Sequence, residues 1–243
     1  MSKPFVSVLT PTYNRNKFIP YLVKCYKAQT YPKESMEWIV FDDGPQSCEK
    51  VFLDSTKGLP NIRYIRSEDK LTIGAKRNRL NSESKGEICV AMDDDDYYCP
   101  ERVAHAVSMF RLHPEIDLAG SSQIYMFYTS SKQIISLGPY NKNHATNGTF
   151  AYRKKYGKTH TYDEHVTHAE EKSFLENYIH PMIQLDPMKV MLVMSHSENT
   201  FNKDEFLQMA LDPNNTNPLV KLSHIKLNQW IRDKTLRDFY SSA

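Results

Sequence analysis

Glu87-Ile88-Cys89-Val90-Ala91-Met92 runs directly into Asp93-Asp94-Asp95-Asp96. A short apolar run of this kind reads as a buried strand, and here four carboxylates leave its C-terminal end together. In open α/β sheets, ligands bind in the crevice outside the carboxyl ends of the strands. Adjacent like charges repel, so such a run belongs either in full solvent or around a cation. Hard divalent ions take oxygen ligands, and Mg²⁺ in particular shares its shell between one or two carboxylates and a substrate phosphate. The strand before the acids, and Tyr97-Tyr98-Cys99-Pro100 after them, favour a metal–phosphate site over a solvated acidic turn.

Outward from this strand, the first half alternates strand and helix. Phe5 to Leu9 is a β-rich run expected to stop at Pro11. Lys17 to Thr30 carries Ile19, Leu22, Val23 and Tyr26 on one helical face. Trp38 to Phe41 is a second strand that also ends in acid, at Asp42-Asp43-Gly44, and Asn61 to Ile65 is a third. Thr72 to Asn81 predicts a basic helix, and Pro100-Glu101 opens another through Phe110. Such alternation implies a mostly parallel sheet with right-handed crossovers. The second half loses the rhythm. Leu118 to Tyr128 and Lys132 to Leu137 predict a hairpin, and Tyr140 to Thr149 a loop. Thr167 to Tyr178 predicts a helix, Met188 to Met194 a strand, and Leu219 to Phe239 one or two amphipathic helices.

Hydrophobic and charged fractions of 40% and 25%, with a net charge of +2, fit a soluble globular chain and do not suggest nucleic-acid binding. The apolar part of the N-terminus is too short for a signal peptide, and no run reaches the about 20 apolar residues of a membrane span. The four cysteines form no CxxC pair, and Cys25 and Cys89 sit in apolar patterns that predict free buried thiols. A cytoplasmic location is the resulting expectation, which makes the sequons at Asn147 and Asn214 incidental.

Four segments in order resemble the signature of family 2 glycosyltransferases of the GT-A fold. They are Val6-Ser7-Val8-Leu9-Thr10-Pro11-Thr12-Tyr13-Asn14-Arg15, Trp38-Ile39-Val40-Phe41-Asp42-Asp43-Gly44, Ile73-Gly74-Ala75-Lys76-Arg77-Asn78 and Met92 to Asp96. The resemblance covers roughly residues 5 to 112. It implies an α/β GT-A fold, Rossmann-like, with helices on both faces of a mostly parallel central sheet and a C-terminal helical tail. The expected organisation is one domain over 1–243: a nucleotide-sugar half at 1–112, an acceptor and catalytic half at 113–212, and the tail at 213–243.

Residue by residue, the resemblance implies that Pro11, Thr12, Tyr13 and Arg15 form the nucleotide-contacting turn after the first strand. Asp43 matches the aspartate that accepts from a uracil N–H, a role suited to an acceptor-only carboxylate. Lys76 and Arg77 match the basic helix near the diphosphate, with Arg77 the expected contact. The acid run resembles the DxD motif, and its register is open. Read as Asp93-Asp94-Asp95, it makes Asp95 the first metal ligand and Asp93 the second, with Asp93 and Asp94 also on the nucleotide-sugar side. An EF-hand is excluded, because Tyr98 stands where Gly is needed and Ala104 where Glu is needed.

His168-Ala169-Glu170-Glu171 resembles the acidic pair ahead of a helix whose second member is the general base. Glu171 holds that position in place of the family's Asp, and Glu170 competes with it. His196, after an apolar strand, matches a further metal ligand in some relatives. The implied activity is inverting, Mn²⁺- or Mg²⁺-dependent transfer of a hexose from a UDP-sugar to a hydroxyl of a glycan or glycoconjugate. The rivals are an inactive GT-A-like nucleotide-binding module and, more weakly, a paired-carboxylate hydrolase. Tyr140, Phe150, Tyr152 and Tyr156 read either as an acceptor-stacking wall or as core. Basic residues from Lys221 to Arg237 read either as peripheral membrane contact or as a solvated face.

Overall fold

The computed structural model describes residues 3–166, 169–199 and 203–242. Its strands are β1 (Val6–Thr12), β2 (Met36–Asp42), β3 (Ile62–Arg66), β4 (Ile88–Ala91), β5 (Tyr97–Tyr98), β6 (Leu118–Gly120), β7 (Ile124–Tyr128), β8 (Ile134–Leu137), β9 (Ala151–Arg153), β10 (Met182–Gln184), β11 (Met191–Ser195) and β12 (Val220–Leu222). The helices are α1 (Ile19–Ala28), α2 (Glu49–Thr56), α3 (Ile73–Glu83), α4 (Arg102–Leu112), α5 (Lys154–Thr159), α6 (Glu171–Phe174), α7 (Asp204–Leu211), α8 (Leu227–Trp230) and α9 (Lys234–Ser242).

Two sheets organise them. The larger has the order β10-β6-β9-β4-β1-β2-β3, and the smaller β12-β8-β7-β11-β5. In the larger sheet β1 pairs in parallel with β2 and β4, and β2 with β3; β9 runs antiparallel between β4 and β6. β1 is buried along its whole length, as expected of a central strand covered on both faces. Because Thr12 lies opposite Asp42, and Leu9 opposite Ala91, the ends of β1, β2 and β4 open on one edge. This is the mostly parallel sheet that the sequence predicts.

β1 does not stop at Pro11. The Leu9 carbonyl accepts from Met92 N, so by the alternation of a parallel ladder Pro11 faces the same side. There β4 has already ended, opposite Leu9. A residue without an N–H therefore costs no ladder bond.

The core under the site is built around Trp38, which is fully buried between Tyr26, stacked at 4.4 Å, and Phe52, edge-on at 5.0 Å. Its indole donates to Thr10 Oγ1 at 2.9 Å, and that hydroxyl donates to the Met92 carbonyl at 2.6 Å. A buried polar chain thus locks β2, β1 and the end of β4 together. Helix α1 buries Ile19, Leu22, Val23, Cys25 and Tyr26, the face that periodicity predicts. Helix α3 begins at Thr72, whose hydroxyl accepts from Ala75 N.

The second half departs further from its reading. Leu118 to Tyr128 is two strands, β6 and β7, assigned to different sheets. The predicted hairpin exists as β7 against β8. The helix expected over Thr167 to Tyr178 shrinks to α6 and a 3₁₀ turn, because Glu176, Asn177 and Tyr178 all take positive φ. Its first residues, Thr167 and His168, lie outside the described residues. The C-terminal segment is not wholly helical: Val220–Leu222 pairs with β8 before α8 and α9. Helix α9 docks through Phe239, stacked on Tyr21 at 3.5 Å, and through Tyr240, whose hydroxyl donates to the Asp96 carbonyl at 2.9 Å.

Candidate active site

At the shared edge lies a cleft of about 450 Å³, within the usual range of small-molecule sites. Pro11, Thr12, Tyr13, Arg15, Arg77, Asp93, Asp94 and Asp95 all line it, as do Lys76 and Glu198. Eight residues read from the sequence as nucleotide-sugar or metal contacts therefore converge on one space.

The turn after β1 is shaped by its backbone. Asn14 takes the left-handed conformation (φ 55°), and a Cβ on Gly44 would stand 2.5 Å from Asn14 N. Gly44 is what lets the end of β2 approach this turn. Tyr13 is partly exposed at the cleft wall, with Lys70 Nζ 4.4 Å and Lys76 Nζ 5.5 Å from its ring centroid. Arg15 donates to the Glu198 carbonyl at 2.8 Å and lies 3.7 Å from Asp95 and 3.9 Å from Asp94.

The four acids fall into different roles. Asp93 receives the Arg77 guanidinium on both oxygens, at 2.9 and 3.3 Å. Asp94 is buried, and burial, reinforced by the neighbouring Asp95 charge, pushes its carboxyl up to about 8. Burial also works against Asp95, but His196 and Lys203 outweigh it and hold Asp95 below the usual carboxylate range. Asp96 turns away from the cleft; its carboxylate accepts from Met194 N at 2.8 Å and ties the acid run to β11.

His196 Nε2 lies 3.3 Å from Asp95 Oδ2, and its Nδ1 accepts from Glu198 N at 3.2 Å. That contact holds with the proton on Nε2, where it faces Asp95; the other tautomer, with Nδ1 protonated, gives up the Glu198 contact and frees the Nε2 lone pair. Two donors about 2.1 Å from one ion, at angles near 100°, stand about 3.2 Å apart. The Asp95–His196 spacing therefore fits a shared divalent ion once His196 carries its proton on Nδ1.

Asp43 is placed differently from the pocket-lining residues. Its side chain is fully covered, with Oδ1 2.9 Å from Lys76 Nζ and Oδ2 accepting from Leu71 N at 2.7 Å. Asp42, the last residue of β2, is buried and accepts from Gly44 N and Cys48 N. Glu170 is held by Arg77 Nε at 2.9 Å and by Asn147 Nδ2 at 3.1 Å, and these partners keep it ionised below the ordinary glutamate range despite burial. Burial instead raises the Glu171 carboxyl, and the Glu170 charge adds to the rise.

Several residues that build the site have weak sequence signals. Asn147 reads as part of a sequon, yet it is buried and bridges Glu170 to Tyr162. Asn199 reaches both His196 and Asp95. Tyr98 accepts from Asp93 N at 2.7 Å. Arg102 is fully buried under β4 and donates to the Phe150 carbonyl at 2.6 Å; the only cue for Tyr98 and Arg102 is their nearness to the acid run. Of the aromatic wall, Phe150, Tyr152 and Tyr156 are core residues, and Tyr140 keeps an exposed ring. All four cysteines are free and buried, and burial pushes Cys25 and Cys89 up to about 11. Among the described residues, no helix is long and apolar enough to cross a membrane.

Comparison with known proteins bears on the family and the fold. The model of the family "Glycosyl transferase family 2" matches residues 7–174. An uncharacterized glycosyltransferase of Haemophilus influenzae is 30% identical over 112 residues, which is 46% of this chain and 36% of the relative. Poly(ribitol-phosphate) beta-N-acetylglucosaminyltransferase TarS of Staphylococcus aureus is 28% identical over 108 residues, 44% of this chain and 19% of TarS. The chain thus spans well under half the length of these curated relatives. Among solved structures, S. aureus TarS 1-349 in complex with UDP-GlcNAc superposes with a TM-score of 0.67 at 20% identity, covering 85% of this chain and 65% of that one. The mannosyltransferase PcManGT from Pyrobaculum calidifontis, in complex with GDP-Man and Mn²⁺, gives 0.64 at 14% identity, covering 86% and 61%. With a sheet edge, a cleft and a matching family model that spans most of its length, the chain belongs to glycosyl transferase family 2.

Proposed function

We propose that the chain transfers a hexose from a UDP-sugar to a hydroxyl of a glycan or glycoconjugate, with inversion and with a divalent ion. The observation that carries this reading is the convergence of the turn after β1, Arg77 and the acid run on one cleft. UDP is favoured by the TarS complex with UDP-GlcNAc, and a metal by the PcManGT complex with GDP-Man and Mn²⁺. Asp95 and, in its Nδ1–H tautomer, His196 would hold Mn²⁺ or Mg²⁺, which when bound offsets charge on the departing diphosphate.

The chain's own residues supply the rest. Tyr13 offers a ring face to the base, and Arg15 and Lys76 bring positive charge to the cleft. Asp43 reads an imide N–H only if Lys76 releases it, so donor binding would involve a Lys76 movement toward the diphosphate. Glu171 is the better general base. Among the described residues no other side chain hydrogen-bonds to it, and its raised pKa brings it nearer to a working base. Glu170, with Arg77 and Asn147 on one oxygen, orients the site instead.

Calorimetric titration of UDP with Mn²⁺, with EDTA and with Asp95→Ala tests this reading. Ion-dependent binding that the substitution abolishes is expected. Absence of UDP binding under every condition would remove the donor assignment. Release of UDP from a UDP-sugar, with and without acceptor glycans, then distinguishes turnover from binding alone.

A further inference from the structure

Away from the donor cleft, His160, Glu176 and His180 bring their ligand atoms within 4.8 Å of one another. His160 follows α5, whereas Glu176 and His180 belong to the turn after α6. His160 Nε2 is 3.6 Å from Glu176 Oε1, and His180 Nε2 is 2.9 Å from Glu176 Oε2. All three remain open to solvent, the glutamate side chain by 51% and the histidines by 17% and 28%. None of them lines the donor cleft.

We infer that these three residues form a second metal site, of the Zn²⁺ class, that clips α5 to the turn following α6. Two imidazoles and one carboxylate are a borderline nitrogen–oxygen set, which suits Zn²⁺ and leaves a fourth position for water. Tetrahedral ligands about 2.0–2.1 Å from an ion stand about 3.3–3.5 Å apart. The His160–Glu176 edge is already close to that, and the His180–Glu176 edge needs only a small opening.

The supporting contacts are those a ligating histidine needs. His160 Nδ1 has the Tyr156 carbonyl at 3.1 Å and the Thr159 hydroxyl at 2.8 Å; with the hydroxyl proton given to the Tyr156 carbonyl at 3.1 Å both can accept from Nδ1–H, the tautomer that leaves the Nε2 lone pair facing Glu176. Tyr156 also stacks flat on the His160 ring at 3.8 Å and meets the His180 ring edge-on at 5.4 Å. Positive φ at Glu176, Asn177 and Tyr178 gives the turn that places Glu176 and His180 together. The loop closed by such a clip, from His160 to Glu176, carries Glu170 and Glu171. Bound metal would order the segment bearing the acidic pair without touching the donor.

The test is Zn²⁺ titration of the Asp95→Ala chain, in which the donor-site ligand is removed, read by calorimetry and by thermal melting. One Zn²⁺ per chain with a raised melting midpoint is expected, and Co²⁺ in its place should give the strong visible absorption of a four-coordinate site. Adding Glu176→Gln or His180→Ala should abolish stoichiometric binding and the shift in melting. Glu176→Gln is isosteric and largely exposed, so circular dichroism of that variant separates lost binding from lost folding. No Zn²⁺ binding in the Asp95→Ala chain, or binding unchanged by both substitutions, would overturn the assignment.

Discussion

Arg77 spans the two halves of the site: its Nε donates to Glu170 at 2.9 Å and its Nη1 to Asp93 at 2.9 Å. One guanidinium thereby fixes the acid run at the end of β4 relative to the segment leading into α6. Burial alone would favour its neutral form, but the two carboxylates more than compensate and keep it charged. Removing one member of a buried ionic group costs about 3–5 kcal/mol, since the partners stay behind uncompensated. Arg77→Met should fall near 3 kcal/mol, because Asp93 keeps 22% side-chain exposure and can rehydrate. Urea denaturation measures it. Glu170, held at a depressed pKa in the folded state, stabilises fully above the ordinary glutamate range and loses that contribution as pH falls through its folded value. In Arg77→Met this acid dependence should shrink.

Glu171 and Glu170 are neighbours in sequence with opposite environments, so their substitutions should separate. Glu171→Gln is expected to lower kcat by about 10²–10⁴-fold with little change in stability, the signature of a lost general base. Glu170→Gln leaves Arg77 with a weaker acceptor and should chiefly lower stability, by about 1–3 kcal/mol. Turnover of a UDP-sugar beside thermal melts of both variants checks the division. The reverse pattern would move the base role to Glu170.

The same pair sets a pH profile. A general base must be ionised, so activity should fall as pH drops through the Glu171 pKa. Burial, with the Glu170 charge, places that point above the ordinary glutamate value. Glu170→Gln removes the like charge and leaves Arg77 facing Glu171 with less opposition. The acid limb of kcat should therefore move to lower pH in that variant. A limb that stays fixed or moves upward would contradict the assignment of Glu171.

How far the sequence reveals this site depends on the range of the interactions. The strands that run into Thr10-Pro11-Thr12, Asp42-Asp43 and Asp93 to Asp96 are local patterns, and a parallel register brings their ends together without further information. Roles within the acid run are not local. Asp96 is taken by β11 and Asp93 by α3, and neither partner is adjacent in sequence. Asp43 looks like an open acceptor until Lys76, one helix away, is seen to cover it. The second half is harder for a physical reason: its strands are three to five residues long, too short for a period-2 pattern to declare itself. Ala151–Arg153 is an example, a three-residue strand inserted antiparallel between β4 and β6. The aromatic residues around it read equally well as core or sugar platform, and pairing with β4 and β6 buries Tyr152 in the core.

Gly44 offers a test of the nucleotide turn that leaves every polar group in place. A methyl there would meet Asn14 N at 2.5 Å and Asn14 Cα at 3.2 Å, both backbone atoms that cannot rotate away. Gly44→Ala must push the turn off the end of β2, displacing Tyr13 and Arg15 on either side of Asn14. Overpacking of this sort costs about 1–3 kcal/mol, and UDP affinity should weaken about tenfold, equivalent to about 1.4 kcal/mol. Gly58→Ala is the control. Gly58 has φ +84°, but a methyl added there would meet nothing within 4 Å, so that change carries backbone strain of about 1 kcal/mol and no steric push. Calorimetry should find UDP binding reduced in Gly44→Ala and unchanged in Gly58→Ala, although both lose stability in denaturant. Equal UDP affinity in the two would show that the turn after β1 does not contact the nucleotide.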